Sequence, residues 1–414
     1  MKLLFLTSVE HPQIRYEAES LRRYIDVTYL VTPYLDRKSF FEGFKCFINK
    51  FPHIFLALLK LSIPPLPQIF IYLLTVSKLL CNETLEYQKF DLIYAHWLFP
   101  SGLIGLILSK IYGCKIVSVI WGYDIQVVRN VKKYGIHGWN RVISRIVIEK
   151  SDLIIVNHNI HRILAHMIVK PKYHQKILYI PPGIPDFSSE NLDLKSANEL
   201  RKKISFSLEE LRGKKIVLYG PQLKPIYGIR EFVKAAQIVG KQVDGVVFII
   251  TGDGELRDEV IKFIKENNLE DKVFLVGKIS HDAMKNLYKL STLVCDLAYP
   301  GTGTTTLEAF CFGKPVIGIK SPKTIIDHGF NGFVIERGDY QTLAKYILAI
   351  LKDHKLREYL SVNARKTFEK KYNIQKRICI LLKIFRVLAE TRCKAAQAYN
   401  RGHLPESLEC LSWI

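Results

Sequence analysis

The stretch LVCDLAYPGTGTTTLEAFCFGKPVIGIK, residues 293–320, determines the fold that this sequence predicts. Its apolar start, Leu293–Tyr299, indicates a buried strand, and Val316–Ile319 indicates the next one. Between them lie a turn with two glycines and four hydroxyls, residues 300–306, and a short apolar helix, residues 307–312. A strand, a glycine-rich turn and a helix N-terminus together form an anion site, because backbone N–H groups at the helix start point toward the ligand.

The same pattern also has a purely structural interpretation. A single Gly-x-Gly turn before a helix is common in α/β proteins, so the turn alone does not establish a ligand. Glu308 follows within the first or second helical turn. Its carboxylate could accept hydrogen bonds from sugar hydroxyls, or simply be favoured by the positive end of the helix dipole.

Strands alternate with helices through both halves of the 414 residues, which suits two α/β domains with doubly wound parallel sheets. We predict an N-terminal domain over residues 1–190 and a C-terminal domain over 213–370. Charged residues 191–212 form the predicted linker. Residues 371–414 comprise a long amphipathic helix and a tail without clear periodicity.

The charge balance points to anionic partners. The chain has 60 Lys and Arg against 39 Asp and Glu, a formal charge of +21. Nucleotide phosphates, an acidic membrane face and nucleic acid all fit this excess. Residues 125–182 hold ten of the cations and two acids, which makes a regional patch. No RNA-binding signature accompanies it, so we do not expect a nucleic-acid partner.

Cysteine usage and hydropathy predict a cytoplasmic protein. The eight cysteines are scattered without zinc spacing, and buried free thiols in a reducing compartment are the simplest interpretation. No signal peptide opens the chain, and no apolar run is long enough to span a bilayer. The closest run, residues 54–80, is divided by Lys60 and by prolines, so it predicts two apolar helices.

The apolar region 40–80 and the basic patch 125–182 both lie in the N-terminal half. This combination suits the anionic inner face of a membrane, where the protein would bind peripherally and meet a lipid-linked acceptor. The alternative, that the apolar helices form core or an oligomer contact, is equally compatible with the sequence.

Ligands of open parallel sheets bind beyond the carboxyl ends of the strands, and two such domains facing each other form an interdomain cleft there. Small, basic and hydroxyl residues cluster on the turns that follow the predicted strands. In the second half these turns are 220–228, 251–254, 277–278 and 300–304, and in the first half they are 7–11, 96–97 and 121–124.

Several motifs recur in a familiar order between about residues 91 and 368. They are DLIYAHW, SVIWGYD, SDLIIVN, IPPGI, VLYGPQLKPIYGIREFVKAA, FIITGDGEL, the stretch from VFLVGKISHDAM to FCFGKPVIG, and NGFVI. In this order and spacing the chain resembles the family 4 glycosyltransferases, group 1 enzymes of the GT-B fold. The resemblance implies two Rossmann-like domains, a final helix that crosses back to the first domain, and retaining sugar transfer from a nucleotide sugar to a glycan or lipid-linked acceptor.

The resemblance also assigns roles to residues. Glu308 matches the second glutamate of the family's paired-Glu motif, which holds the nucleotide ribose. Gly301, Gly303, Thr304 and Thr305 match the turn that holds the diphosphate. The remaining residues with a predicted donor-binding role are Gln222, Lys224, Tyr227, Gly252, Gly254 and Lys278.

Three departures from the family pattern concern the donor. The first motif glutamate falls on Pro300, the usual arginine and lysine of the loop after Gly220 fall near Gln222 and on Tyr227, and Trp121 replaces a frequent histidine. Either the donor or its sugar pose differs, with Lys224 or Lys278 neutralising the diphosphate, or the chain is an inactive partner subunit. We favour the active enzyme.

In the first half we assign Trp121 and Asp124 to the catalytic region and His96 to the acceptor side. A helix-capping role for Asp124 and a structural role for His96 remain open. No nucleophile is evident. The sequence has no Asp-x-Asp motif, so we expect no metal and no other cofactor, with lysines and helix dipoles neutralising the leaving group.

Overall fold

The computed structural model describes residues 1–32, 37–61, 67–81, 89–126, 137–191, 193–204, 210–211, 213–299, 301 and 303–398. The chain forms two compact units. The first comprises Met1–Gly183 with Ile374–Ile414, and the second comprises Ile184–Asn373.

The first unit contains a parallel sheet of six strands in the order β2-β1-β3-β4-β5-β6. The strands are β1 (Lys2–Thr7), β2 (Asp26–Val31), β3 (Leu92–His96), β4 (Lys115–Ile120), β5 (Leu153–Val156) and β6 (Ile177–Tyr179). The helices are α1 (Pro12–Leu21), α2 (Arg37–Leu61), α3 (Pro67–Leu80), α4 (Leu103–Tyr112), α5 (Tyr123–Gln126), α6 (His137–Lys150), α7 (Asn159–His166) and, at the C-terminus, α15 (Ile374–Ala398).

The second unit contains a second parallel sheet, in the order β12-β11-β10-β7-β8-β9. Its strands are β7 (Lys215–Tyr219), β8 (Val246–Thr251), β9 (Val273–Gly277), β10 (Leu293–Asp296), β11 (Val316–Ile319) and β12 (Gly332–Ile335). Its helices are α8 (Leu194–Arg201), α9 (Ile229–Gly240), α10 (Arg257–Glu266), α11 (His281–Leu290), α12 (Thr304–Cys311), α13 (Tyr340–Lys352) and α14 (His354–Thr367).

Both sheets are buried on their two faces, as continuous apolar strands predict. In β1, for example, Leu4 and Leu6 belong to one core of the first unit, while Leu3 and Phe5 belong to another. The sequence prediction of two α/β domains with doubly wound parallel sheets is therefore confirmed. The apolar run that prolines divide forms two helices, α2 and α3, as predicted, and the proline-rich residues 62–66 lie outside the described part of the chain.

Residues 191–212, the predicted linker, contribute α8 to the second unit. Asp193 caps this helix by accepting from the Ser196 N–H. The buried amide of Asn286, on α11, donates to the Asp193 carbonyl at 3.0 Å and to the Ser196 hydroxyl at 2.9 Å. This segment is consequently fixed to α11.

A buried ion pair attaches α15 to the first unit. The guanidinium of Arg377 donates from Nε to Glu17 Oε2 at 2.7 Å and from one Nη to the carbonyls of Ile180 and Pro181. Tyr94 donates its hydroxyl to Glu17 Oε1 at 2.5 Å. Arg377 and Glu17 are almost completely buried, so each charge depends on the other for compensation.

Arg377→Ala should lower the free energy of unfolding by about 3–5 kcal/mol, because it leaves the Glu17 carboxylate buried without its partner. Urea unfolding of the full chain measures the loss. Arg230→Ala is the matched control, since Arg230 makes a bidentate pair with Glu259 on the surface. That control should cost at most about 1 kcal/mol. Equal losses in the two variants would contradict the assignment.

Candidate functional site

The candidate site lies at the carboxyl edge of the second sheet. The first strand of this unit, β7, has β8 on one side and β10 on the other, so the order of connection reverses between β7 and β10. Open α/β sheets bind ligands at such a switch point. The turn after β10, which leads into α12, and the loop after β7 meet there.

A buried carboxylate shapes the turn before α12. Asp296 Oδ2 accepts from the Gly303 N–H at 3.2 Å and from the Thr306 hydroxyl at 2.6 Å. The nearby backbone N–H groups of Ala298 and Thr306 also favour its charged form. Burial raises the pKa of Asp296, and these hydrogen bonds oppose the rise. Asp296 therefore caps the helix that the candidate site uses.

This cap changes which N–H groups can meet a ligand. The prediction that Gly303 offers its N–H to a diphosphate is corrected, because that group already donates to Asp296. Helix geometry gives the N–H groups of Thr304 and Thr305 no intrahelical acceptor. In the described part of the chain neither group donates a hydrogen bond. They are the donors that α12 presents.

Close backbone approaches hold the neighbouring loops against α12. A Cβ on Gly220 would lie 2.6 Å from Thr305 Cγ2, so only glycine allows this turn to reach the helix start. On the other side, a Cβ on Gly254 would meet the backbone of Leu223, with the carbonyl carbon at 2.8 Å. Gly252, with φ of 85°, lies beside Pro221 in the same way. The predicted glycine turns thus pack together.

The hydroxyl of Tyr219, at the end of β7, fixes the loop that follows this strand. Its buried hydroxyl donates to the carbonyls of Tyr227 at 2.9 Å and Gln222 at 3.3 Å, and burial raises its pKa well above the usual value. Gln222 and Lys224 are exposed, and Tyr227 is half-buried. Lys278, after β9, is also exposed. The two predicted cations are therefore accessible to an anionic ligand.

Glu308 is hydrogen-bonded to His281 and lies beside the buried Tyr288. Its Oε1 lies 2.8 Å from Nε2 of His281, the first residue of α11. The buried Tyr288 lies close to both Glu308 and Thr305, and burial raises its pKa well above the usual value. Glu308 is 8% exposed and His281 lies at the surface. The bond to His281 thus holds the Glu308 carboxylate in one orientation.

The far end of α12 is fixed as firmly as its start. Arg365, on α14, makes a bidentate ion pair with Asp186 and donates to the Cys311 carbonyl. The Phe187 N–H donates to Cys311 Sγ at 3.3 Å. Arg365 holds the pKa of Asp186 well below its usual range. α12 therefore has little freedom to move along its axis.

Pro300, which stands where the family has its first motif glutamate, lies outside the described residues. Gly301 has φ of 142°, and a Cβ there would collide with the side chain of Lys323. Lys323, in the turn after β11, is a cation beside the turn that sequence analysis missed.

The corresponding edge of the first unit contains Asp124. Its Oδ2 accepts from the Leu98 N–H and its Oδ1 from the Gly122 N–H, both at 2.9 Å. Burial raises the pKa of Asp124 to about 6 even though these N–H groups favour the carboxylate. These contacts favour the capping interpretation, in which Asp124 joins the turns after β3 and β4. A direct catalytic role stays a prediction.

His96 does not line a surface. Its ring is fully buried and stacks on Phe5 with centroids 4.7 Å apart, and burial lowers its pKa to about 3. This burial favours the structural role that the sequence left open for His96. Its Nδ1 accepts from Trp121 Nε1 at 2.9 Å, and this bond orients the indole. Trp97 stacks on Trp121 at 6.0 Å, and His11 lies on another side at 5.5 Å.

Sequence reasoning missed Asp296, His281 and Lys323. A carboxylate at the end of a buried strand, seven residues before a Gly-x-Thr helix start, is a signal that could have identified Asp296 as a cap. His281 sits just after Ser280, a recognisable N-cap, but its approach to Glu308 requires the tertiary structure. No local pattern identifies Lys323.

Comparison with known proteins agrees with this geometry. Residues 201–367 match the family model of the glycosyl transferases group 1. N-acetyl-alpha-D-glucosaminyl L-malate synthase of Bacillus anthracis is 25% identical over 301 residues, which cover 71% of this chain and 74% of the relative. The UDP-Gal:alpha-D-GlcNAc-diphosphoundecaprenol alpha-1,3-galactosyltransferase of Escherichia coli is 23% identical over 311 residues, or 72% and 75% of the two chains.

Among solved structures, the complex of Anabaena Alr3699/HepE with UDP matches with a TM-score of 0.67 and 19% identity, covering 94% of this chain and all of that one. This likeness shows the GT-B fold. The residues that match the group 1 model lie in the second unit, and the resemblance to group 1 glycosyltransferases that the motifs indicate is confirmed. In the described part of the chain no helix is long and apolar enough to cross a membrane.

Gly254→Ala should destabilise the second unit by about 1–3 kcal/mol, because its Cβ overlaps the Leu223 backbone. Gly213→Ala is the control, since among the described residues its Cβ would meet only the Glu210 carbonyl oxygen, at 3.8 Å. It should change stability by at most about 0.5 kcal/mol. Urea unfolding compares the two variants. A Gly254→Ala variant as stable as the control would contradict the close approach.

Asp124 predicts a specific pH dependence. Its pKa is raised on folding, from an ordinary value of 3.8 to about 6, so the folded state binds the proton more tightly. Stability from this group is therefore present below about pH 4 and is lost as the pH rises through 6. Relative to Asp124→Asn, the wild type should gain up to about 3 kcal/mol between pH 7 and pH 4. A difference that does not vary with pH would refute this.

Proposed function

We propose that this chain transfers a sugar, with retention, from a nucleoside-diphosphate sugar to a glycan or a lipid-linked acceptor. The observation that carries the proposal is the start of α12, within the region that matches the group 1 glycosyltransferase model. There two N–H groups have no acceptor among the described residues, and a glutamate is held in one orientation. Diphosphate and ribose are the ligand groups that these donors and this carboxylate suit.

The donor is held in two parts. The N–H groups of Thr304 and Thr305 and the positive end of α12 meet the diphosphate, and the side chains of Lys224 and Lys278 add positive charge. Glu308 accepts hydrogen bonds from the ribose hydroxyls, with its orientation set by Tyr288 and His281. Alr3699/HepE binds UDP, which supports a uridine nucleotide as the first donor to test.

Neutralisation of the diphosphate is the main chemical requirement. The bond between the anomeric carbon and the phosphate oxygen breaks as negative charge grows on the phosphate, and donors fixed in advance stabilise that charge. With retention, the departing phosphate takes the proton of the acceptor hydroxyl, and the new bond forms on the same face of the sugar. We propose that the cations and α12 neutralise this charge without a bound metal or other cofactor.

The acceptor side belongs to the first unit. The paired indoles of Trp97 and Trp121 offer flat apolar faces suited to the C–H face of a sugar, and His96 and Asp124 hold the turns that carry them. The Escherichia coli relative acts on a diphosphoundecaprenol acceptor, which supports a lipid-linked acceptor here. We propose a cytoplasmic protein at the inner membrane face, where high salt would release it.

A catalytically inactive partner subunit is the second candidate, motivated by the loss of the first motif glutamate at Pro300. It is not favoured, because Glu308 and the N–H groups of α12 remain in place. Assays of the purified chain for transfer to an added acceptor, or for donor hydrolysis, separate the two candidates. Transfer that persists in EDTA would further support the metal-free proposal.

A panel of sugar nucleotides should include at least one that raises the thermal midpoint of the wild-type chain, through binding to the folded state. Glu308→Ala should abolish most of that rise, because the ribose loses its acceptor while the N–H groups of α12 remain. A loss of affinity of about 10–100-fold corresponds to one or two charge-assisted hydrogen bonds.

Glu336→Ala controls for the removal of one acidic side chain, since Glu336 is exposed and pairs with Lys320 on the surface. It should keep the full rise. If no sugar nucleotide stabilises the wild type, the transferase proposal fails. If Glu308→Ala is stabilised as strongly as the wild type, the ribose assignment fails.

A further inference from the structure

A cavity of about 380 Å³ lies at the amino edge of the second sheet, the edge opposite to the candidate donor site. Thr292, directly before β10, and Lys314, shortly before β11, line it together with the first turns of α14. Because β10 and β11 run parallel, residues that precede them lie at the same edge. The volume falls in the range of small-molecule sites, about 300–1,000 Å³. We call this cavity the amino-edge cavity.

Two cations of the amino-edge cavity are bonded to carbonyl oxygens instead of carboxylates. Lys314 Nζ donates to the Lys289 carbonyl at 2.9 Å. Arg357, on α14, donates from one Nη to the carbonyls of Ile350 and Leu351, at 3.1 and 3.4 Å. Within the described part of the chain no carboxylate pairs with either side chain. Carbonyl oxygens use some of the N–H groups but carry no formal charge, so both positive charges remain uncompensated.

Burial makes this imbalance greatest at Lys314. Removal of its ammonium group from water lowers its pKa to about 8. Lys285 shows the effect of an acidic partner. Burial lowers the pKa of Lys285 as well, but its bonds to Glu190 and Asp282 outweigh burial, and the net shift is upward. An anion beside Lys314 would supply the compensation that Glu190 and Asp282 give to Lys285.

Hydroxyl groups accompany the two cations. Thr292 Oγ1 accepts from the Ile216 N–H at 3.1 Å, which leaves its hydrogen to be donated. The Ser361 hydroxyl, on α14, also lines the cavity. Glu358, an acid in the lining, has 68% of its side chain exposed and lies 3.8 Å from His354 Nδ1, so it belongs to the rim. The interior therefore offers mainly hydrogen-bond donors, as an anion site requires.

The surface beside the amino-edge cavity is cationic as well. Lys345, Lys352 and Lys355 surround the turn between α13 and α14. Asp353, an acid of the same turn, accepts from the Leu356 N–H at 3.0 Å and caps α14. Neighbouring charges of one sign raise the local concentration of oppositely charged ligands. The surroundings thus favour the approach of an anion.

We propose that the amino-edge cavity binds inorganic phosphate or a small phosphomonoester. Lys314 and Arg357 compensate its two negative charges, and the hydroxyls of Thr292 and Ser361 donate to its oxygens. A phosphate group suits this lining because its oxygens accept several charge-assisted hydrogen bonds at once. The volume of the cavity also leaves room for the organic part of an ester.

This site is separate from the candidate donor site, although both involve α12. Lys314 follows α12, and its N–H donates to the carbonyl of Ala309, in the last turns of that helix, at 2.8 Å. The N–H groups of Thr304 and Thr305 lie at the other end of α12. Phosphate and a nucleotide should therefore bind together without competition. Because binding here requires no sugar transfer, the inference stands or fails independently of the proposed function.

Phosphate titration of the full chain at constant ionic strength tests the inference. The wild type should show a saturable rise in thermal midpoint, since the ligand binds the folded state. Lys314→Met should weaken phosphate binding at least about tenfold, because one charge-assisted contact is lost. If Lys314 only caps the Lys289 carbonyl, this variant should instead lose stability and keep the full response to phosphate.

A second variant and a second ligand sharpen the test. Arg357→Gln keeps an N–H donor for the carbonyls of α13 but removes the charge, and it should also weaken phosphate binding about tenfold or more. Glycerol 3-phosphate replaces phosphate in a parallel titration. Tighter binding of the ester would assign the cavity to a phosphomonoester, and tighter binding of phosphate would assign it to the free ion.

Lys262→Met is the matched control for the loss of one positive charge. Lys262 lies on α10 with 75% of its side chain exposed, 3.7 Å from Glu266. Its affinity for phosphate should stay within about twofold of the wild type, since salt screens exposed charges. Circular dichroism of all three variants should confirm that they are folded.

Four results would overturn the inference. The first is a wild-type chain without a saturable response to either ligand. The second is a pair of folded variants, Lys314→Met and Arg357→Gln, that bind phosphate as tightly as the wild type. The third is an equal loss in Lys262→Met, which would reduce the effect to net charge. The fourth is displacement of phosphate by UDP, which would place the phosphate at the start of α12.

Discussion

The candidate donor site depends on one buried carboxylate. Asp296, at the end of β10, accepts hydrogen bonds from the turn after the strand and from the first turn of α12. These bonds use the N–H group of Gly303 and the hydroxyl of Thr306, and in our proposal the N–H groups of Thr304 and Thr305 meet the ligand. The N–H groups that α12 can offer to an anion are therefore those that do not donate to Asp296.

Asp124 has the same structural role in the first unit, where it accepts hydrogen bonds from backbone N–H groups. It is also buried after a central strand, and it also accepts from backbone N–H groups of a turn at the carboxyl edge of the sheet. Burial raises the pKa of both carboxyl groups. In each unit an internal acid thus fixes a turn at the carboxyl edge of the sheet, the turn before α12 in one unit and the turn that carries Trp121 in the other.

The sequence predicts the sheets well because buried parallel strands are continuous apolar runs. Their apolar composition and their length distinguish them from loops. It also identifies the Gly-rich turn and Glu308. The sequence could not distinguish a carboxylate that caps a turn from one that contacts substrate, because the residues around Asp124 are compatible with either role. The role of His96 stayed open for a related reason, because only the tertiary structure shows that its ring accepts a hydrogen bond from Trp121. Contacts across the sheet, such as His281 with Glu308, leave no trace in local spacing.

Amide hydrogen exchange during titration with UDP, repeated with other nucleoside diphosphates, tests the central claim most directly. Binding should protect the N–H groups of Thr304 and Thr305 strongly, while the N–H of Gly303, already bonded to Asp296, should change little. Saturable binding with protection elsewhere and none at Thr304 and Thr305, or no binding by any nucleoside diphosphate, would contradict the account of α12 as the phosphate site.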